Sequence, residues 1–193
     1  MLYRIFRFLL RVIYTLIFRL EARGTDNIPA DGPVVLASNH LSLLDPPTVG
    51  IKIHRKVHFM AKEELFKIPV FGPLIRSFGA FPVKRGGVSK DAIKSAISLL
   101  KEGNMLGIFP EGTRNNQEGT AAKKGASMIA IRSGAAVVPV AIIGKYSPFR
   151  KMIVCYGEPI DLKPFIEEGA PDMLEKVTDA IMARIREIAA QQS

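Results

Sequence analysis

Continuous apolar runs alternate with stretches of helical periodicity from residue 33 onward, and this alternation restricts the chain to few folds. We predict buried strands over residues 34–38, 57–61, 80–83, 105–109, 136–143 and 153–156. Helices are predicted after Ser89 as an N-cap, over 124–132, and near the C-terminus with Pro171 at the first helical position. Strands separated by helices form βαβ units, in which the strands run parallel. The pattern predicts a single α/β domain with a largely parallel mixed sheet flanked by helices.

The first twenty residues, MLYRIFRFLLRVIYTLIFRL, predict an amphipathic helix with one cationic stripe. At 100° per residue the stripe covers an arc of roughly 120°, and it consists of Arg4, Arg7, Arg11, Thr15 and Arg19. Such a helix can lie in a membrane interface, with its apolar side in the lipid and its arginines at lipid phosphates. We expect a membrane-interfacial helix over residues 1–22 and the α/β domain over residues 23–193.

Three other interpretations of the N-terminal helix stay open. The helix can pack on the domain as a core helix, or it can cross the bilayer at a tilt with snorkelling arginines. A span is disfavoured because the longest uncharged run, residues 12–18, is far shorter than the roughly 20 residues needed. A signal peptide is disfavoured because Arg11 and Arg19 interrupt the apolar region and no small-residue cleavage site follows.

The net charge of +9 favours an anionic partner, such as a membrane surface or a phosphorylated small molecule. We expect no nucleic-acid partner, because the chain has no tryptophan, no basic–aromatic stacking motif and no zinc-finger spacing. The single cysteine, Cys155, cannot form an internal disulfide, which agrees with a reducing compartment. Together with the N-terminal helix, this predicts a location on the cytoplasmic face of the cell membrane.

Ionisable residues follow two of the predicted strands directly, where an open α/β sheet binds its ligands. His40 can act as a general base because neutral imidazole has an ordinary pKa near 6.5. Asp45 can orient that ring, provided that a turn brings residues i and i+5 together. The alternative is that Asp45 only caps a helix that begins at Pro46, while His40 ends a strand.

Cationic side chains follow the strands that are predicted to end near residues 83 and 109. Lys84, Arg85 and Arg114 can each hold a phosphate group. Glu111 can accept hydrogen bonds from substrate hydroxyls or hold Arg114, and Gly112 can present a backbone N–H to an oxyanion. Each of these charged residues can also be explained without a function, as a solvated loop charge or as part of a surface ion pair. Their convergence at strand ends favours an active site for an anionic substrate.

Two other sites are disfavoured. His54 and His58 have the i,i+4 spacing of metal ligands, but Arg55 and Lys56 crowd them and the flanking sequence predicts a strand. Ser42 lies near His40 but lacks the G-x-S-x-G elbow of a serine nucleophile. We therefore expect no metal site and no serine hydrolase.

The order of the blocks resembles the glycerolipid acyltransferase family, specifically its 1-acylglycerol-3-phosphate acyltransferases. Four blocks carry the resemblance, and they are Asn39–Asp45 (N-H-x₄-D), Gly79–Arg85, Phe109–Arg114 (F-P-E-G-T-R) and the proline-containing strand Val138–Ile142. Together they cover roughly residues 25–160, and the first and third blocks in this order are quite specific.

The resemblance implies acyl transfer from acyl-CoA or acyl-carrier protein to the free hydroxyl of lysophosphatidate or a related lysolipid. It implies that His40 deprotonates that hydroxyl and that Asp45 orients the imidazole. The substrate-binding residues that it implies are Lys84, Arg85, Glu111, Gly112, Thr113 and Arg114. It implies no cofactor and no metal.

Two rival functions stay open at this point. One is acylation of glycerol 3-phosphate or another lysolipid acceptor, which the motifs do not distinguish. The other is a peripheral protein that binds anionic lipid and catalyses nothing. The second rival explains the N-terminal helix and the charge, but it gives His40, Asp45 and Glu111 no role.

Overall fold

The computed structural model describes residues 2–83, 90–111 and 119–192. Its strands are β1 (Glu21–Arg23), β2 (Val34–Ser38), β3 (Val57–Lys62), β4 (Ala80–Val83), β5 (Met105–Ile108), β6 (Ala136–Ile143) and β7 (Ile153–Tyr156). Its helices are α1 (Leu2–Ile17), α2 (Asp45–Gly50), α3 (Phe71–Ser77), α4 (Lys90–Lys101), α5 (Gly119–Ser133), α6 (Lys163–Glu168) and α7 (Met173–Gln191). Short 3-10 helices lie at Thr25–Asn27 and Glu63–Lys67.

The strands form one sheet in the order β1-β7-β6-β2-β5-β3-β4. All neighbouring strands pair parallel except β6 and β7, which pair antiparallel. The predicted single α/β domain with a largely parallel mixed sheet is therefore confirmed. Because β2, β5, β3 and β4 are neighbours that run in one direction, the segments that leave their carboxyl ends meet at one edge of the sheet.

Apolar layers cover both faces of this sheet. Helices α4, α5 and α7 pack on one face, and α1 and α2 contribute to the core on the other. All five residues of β2 are buried, which explains its continuous apolar run. Pro139 lies within the central strand β6, and its carbonyl accepts the Gly157 N–H just beyond the end of β7. The N–H and C=O of a strand residue point to the same side, so the N–H that proline lacks falls where β7 no longer pairs.

Helix α1 packs on the sheet with one side only. Tyr14 and the following Leu20 are buried in the core that α1 shares with the sheet, whereas Phe8 and Leu16 are exposed on the other side of the helix. Among the described residues, no helix is both long enough and apolar enough to cross a membrane. The division between residues 22 and 23 and the membrane role of α1 stay predictions.

Three helix starts differ from the expectations. Asp45 is the first residue of α2 instead of a cap before it, α5 begins at Gly119 instead of 124, and α7 begins at Met173 beyond Pro171. The extra turn of α5 is not apolar in sequence, so its periodicity does not reveal it. Ser89, the expected cap of α4, lies outside the described residues.

Candidate active site

The loop from Asn39 to Leu44, which we call the β2–α2 loop, starts where β2 leaves the sheet. The Asn39 side-chain amide donates to the Ile142 carbonyl at 3.0 Å, and its oxygen accepts the Ile142 N–H at 2.8 Å. The amide thus continues the pairing of β2 with β6 by one residue. It fixes the point at which the chain turns away and presents His40.

His40 and Asp45 are in direct contact. His40 Nδ1 lies 2.6 Å from Asp45 Oδ2, and a carboxylate can only accept, so Nδ1 carries the proton. In the neutral ring this leaves the lone pair on Nε2, which has no hydrogen-bond partner in the described part of the chain. The His40 side chain is 14% exposed and Asp45 is fully buried. The chain therefore does make the turn between residues 40 and 45 that contact between these two side chains requires.

Asp45 does not cap its own helix. Its Oδ2 also accepts the backbone N–H groups of Leu41 at 2.6 Å and Ser42 at 2.7 Å. These donors belong to the β2–α2 loop, so the carboxylate closes the loop around itself and faces His40. The alternative that Asp45 caps α2 was wrong. The imidazole and the two backbone N–H groups all bond to Oδ2, and no side-chain hydrogen bond caps the first turn of α2.

Tyr146, which the sequence did not reveal, holds the second oxygen of Asp45. Its hydroxyl donates to Asp45 Oδ1 at 2.7 Å. Burial raises the pKa of the Tyr146 phenol, and the bond to Asp45 raises it further. Burial, followed by the charge of Asp45, also raises the pKa of Tyr14. Both phenols stay protonated at neutral pH and act as donors. The only sequence signal was the position of Tyr146 just beyond β6, the neighbour of β2.

Two aromatic rings support the imidazole from the side. The His40 ring stacks on Phe109, with centroids 4.2 Å apart and planes 21° apart. Phe59 lies beyond it, 6.2 Å from the Phe109 centroid and nearly parallel. Because Phe109 directly follows β5, the neighbouring strand sets the tilt of His40.

Of the remaining predicted site residues, Glu111 lies at the same edge of the sheet. Glu111 is half-buried just after β5, next to the strand that leads to His40. Five of the predicted substrate-binding residues lie outside the described residues, and they are Lys84, Arg85, Gly112, Thr113 and Arg114. They follow the carboxyl ends of β4 and β5 in the chain.

The histidines at 54 and 58 are not part of this site. His58 donates from Nδ1 to the Gly79 carbonyl at 3.0 Å, and His54 is exposed. Within the described ranges, no group of three or more His, Cys, Asp or Glu side chains is arranged to hold a metal ion.

Comparison with known proteins connects this geometry to a chemistry. A family model described as Acyltransferase matches residues 19–143, which include the β2–α2 loop and the ends of β2 through β5. The chain belongs to the Acyltransferase family. As a member of this family, the protein is an acyltransferase enzyme.

This acyltransferase is similar to relatives over most of its length. It is 36% identical to the 1-acyl-sn-glycerol-3-phosphate acyltransferase of Bacillus subtilis, over 93% of this chain and 92% of that protein. It is 35% identical to a chloroplastic enzyme of the same name from Arabidopsis thaliana, over 66% of this chain and 36% of that protein. Its fold matches the crystal structure of PlsC, the 1-acyl-sn-glycerophosphate acyltransferase of Thermotoga maritima. That match has a TM-score of 0.73 at 26% identity and covers 98% of this chain and 79% of the other.

Proposed function

We propose that this acyltransferase transfers a fatty acyl group from an acyl thioester to the free hydroxyl of 1-acylglycerol 3-phosphate, giving phosphatidate. The contact between His40 and buried Asp45 at 2.6 Å carries the proposal, because acyl transfer to a hydroxyl requires a base. The names of the Bacillus subtilis and Thermotoga maritima relatives support the acceptor. The donor is acyl-CoA or acyl-carrier protein.

In the proposed reaction, Nε2 of His40 accepts the proton of the acceptor hydroxyl as its oxygen attacks the thioester carbonyl. Asp45, hydrogen-bonded to Nδ1, stabilises the imidazolium that forms. Collapse of the tetrahedral intermediate breaks the carbon–sulfur bond, and the departing thiolate takes the proton from the imidazolium. The hydroxyl proton thus ends on the thiol, the new ester bond replaces the thioester bond, and the enzyme is regenerated.

The anionic acceptor is held, in this proposal, by the residues that follow β4 and β5. Arg85 binds the phosphate with Lys84 beside it, because guanidinium and ammonium groups both pair with phosphate oxygens. Glu111 and the segment from Gly112 to Arg114 complete the acceptor site. Glu111 supports this placement, since it follows the strand next to β2 and is half-buried near the same sheet edge.

The exposed side of α1 supports contact with a membrane surface. Phe8 is 64% exposed and Leu16 is 65% exposed, while Tyr14 on the opposite side is buried. Phe149, also exposed, lies close to the end of α1, because its N–H donates to the Ile17 carbonyl. We place this surface at the cytoplasmic face of the cell membrane, where a lipid acceptor is reached from the bilayer.

The test is phosphatidate formation from lysophosphatidate and a long-chain acyl thioester by the full-length protein. We expect His40→Ala to lose on the order of 10²–10⁴-fold in kcat. His54→Ala is the matched control, because His54 is exposed and lies outside the site. Equal activity of wild type and His40→Ala would remove the proposed base. If the wild type does not acylate lysophosphatidate but does acylate glycerol 3-phosphate or another lysolipid, that molecule is the acceptor instead.

A further inference from the structure

The side of α1 that faces the protein reaches the catalytic pair. The Tyr14 hydroxyl donates to the carbonyl of Leu44, the last residue of the β2–α2 loop, at 3.2 Å. Tyr14 is only 3% exposed, so this bond is sheltered from water. A helix that served only as an anchor would need no contact with the residue that precedes Asp45.

A chain of aromatic rings continues this contact from α1 to Asp45. Tyr14 and Phe18 meet edge to face with centroids 5.4 Å apart, and Phe18 meets Tyr146 at 5.5 Å and 90°. Edge-to-face pairs at such distances are favourable and directional. The hydroxyl at the far end of this chain is the one that donates to Asp45 Oδ1.

The hydrogen bonds around the Tyr146 hydroxyl fix its direction. Its oxygen also lies 2.7 Å from Thr48 Oγ1, and Thr48 Oγ1 lies 2.9 Å from the Leu44 carbonyl. The Asp45 carboxylate can only accept, so the single proton of Tyr146 goes to Asp45. Thr48 is fully buried, and its single proton can go either to the Leu44 carbonyl or to the Tyr146 oxygen. The phenol therefore has one orientation, with its proton on the carboxylate.

We propose that Tyr146 is a positioning residue for the His40–Asp45 pair, and that α1 holds it in place through Phe18 and Tyr14. This inference rests on the proposed function. With Oδ2 bound to His40 and two backbone N–H groups, and Oδ1 bound to Tyr146, the carboxylate cannot rotate. Its plane sets the direction of the His40 ring and of the Nε2 lone pair. Helix α1 is thus a part of the active site in addition to any contact with lipid.

Tyr146→Phe tests this role because it removes one hydroxyl and keeps the ring against Phe18. Tyr156→Phe is the matched control, since it also removes a buried hydroxyl, which donates to the Val49 carbonyl at 2.7 Å. In detergent micelles, where membrane binding does not limit the rate, we expect kcat of Tyr146→Phe to fall about tenfold. We expect an unchanged KM for lysophosphatidate, because the residues proposed to bind the acceptor follow other strands in the sequence. Tyr156→Phe keeps the wild-type kcat.

A second pair of variants tests the part played by α1. Phe18→Leu removes the ring that supports Tyr146, just after the end of α1, while Phe8→Leu changes an exposed ring within α1. We expect only Phe18→Leu to lower kcat in micelles. Wild-type kcat in both Tyr146→Phe and Phe18→Leu, or an equal loss in Tyr156→Phe, would overturn the inference.

The downfield proton resonance of His40 Nδ1 provides a readout that does not depend on the acceptor. The chemical shift of this proton reports the hydrogen bond to Asp45. We therefore expect the chemical shift to change in Tyr146→Phe and to remain at the wild-type value in Tyr156→Phe. If the wild type makes no phosphatidate, the proposed function fails, yet this resonance still decides the positioning role. An unmoved resonance in Tyr146→Phe would contradict it.

Discussion

The side-chain amide of Asn39 pairs at both ends with the backbone of Ile142, at 3.0 Å and 2.8 Å. This two-point bond locks the carboxyl end of β2 against β6 one residue before His40. It explains chemically why an amide, with one donor and one acceptor, precedes the histidine.

Asn39→Asp is expected to destabilise the fold, because a carboxylate would oppose the Ile142 carbonyl that now accepts a hydrogen bond. Loss of this half-buried donor should cost about 1–3 kcal/mol in the free energy of unfolding, measured with urea. The matched control is Asn104→Asp, which removes one donor to the Leu99 carbonyl. Asn104 directly precedes β5, so it lies at the opposite end of the strands from the candidate site. We expect activity to fall in Asn39→Asp alone, and equal turnover in the two variants would refute this.

Asp45→Asn is expected to abolish most activity and to lower stability. The new amide can accept at only one of the two positions, whereas Asp45 now receives His40 Nδ1 at one oxygen and Tyr146 at the other. We expect kcat to fall by on the order of 10²–10⁴-fold, as when the base itself is lost. Phosphatidate assays beside urea unfolding would separate the two effects. Near-wild-type turnover by a folded variant would exclude Asp45 as the orienting group.

Gly107→Ala tests the aromatic support of His40. A Cβ at Gly107 would lie 2.1 Å from the Phe59 ring, so that ring must move. Phe59 stacks near Phe109, which stacks on His40, and the shift therefore reaches the His40 ring. We expect a loss of about 1–3 kcal/mol in unfolding free energy, together with a lower kcat. A second substitution, Phe59→Leu, makes room for the methyl group and should recover part of the stability.

Stability is expected to fall below neutral pH because of His58. Burial, followed by the charge of Lys56, lowers the pKa of His58, while the Gly79 hydrogen bond and Glu102 oppose the shift. An unfolded histidine titrates near pH 6.5, so below that pH the unfolded chain binds a proton that the folded chain resists. The contribution is complete above about pH 6.5 and is lost as the pH falls through the lower folded pKa.

The check is the melting temperature between about pH 7 and pH 5. His58→Gln keeps an amide donor for the Gly79 carbonyl but cannot take up a proton, so we expect a shallower decline with pH. His54→Gln, at an exposed histidine, is the control. The same slope in wild type and His58→Gln would contradict the expectation.

Membrane contact through α1 is tested by Leu16→Asp and by sedimentation with anionic vesicles. We expect weaker binding, because a charge would replace an exposed apolar side chain on the side of α1 that we propose to contact lipid. Ile166→Asp is the control, since Ile166 is exposed on α6. A point substitution is sharper than deletion of residues 1–20, which would also remove the buried Tyr14 and Leu20. Unchanged sedimentation of Leu16→Asp would count against the anchor.

The strands were largely predictable because central parallel strands are buried on both faces and leave continuous apolar runs. Segments 34–38 and 136–143 were predicted with the bounds that β2 and β6 have. Strand β1 was missed, because Glu21-Ala22-Arg23 is short and mostly polar. Its strand conformation comes from pairing with the backbone of β7, which no local pattern encodes.

The candidate site was predictable only in part. The sequence identified His40 and Asp45, yet the same spacing suited a helix cap, and tertiary bonds to the carboxylate decided between the two. Tyr146 was not predictable, because it meets Asp45 across 101 positions of the chain. Its hydroxyl reaches Asp45 only after β6 lies beside β2.

The pairing of β1 with β7 has a consequence for how the protein folds while it is being translated. Met152 bonds through its backbone to both Phe18 and Glu21, so the first elements of the chain are completed by some of the last strands to be made. At the usual speed of translation, this partner emerges on the order of ten seconds after α1. Until that partner emerges, the buried side of α1 and the backbone of β1 lack the contacts that they make in the folded protein.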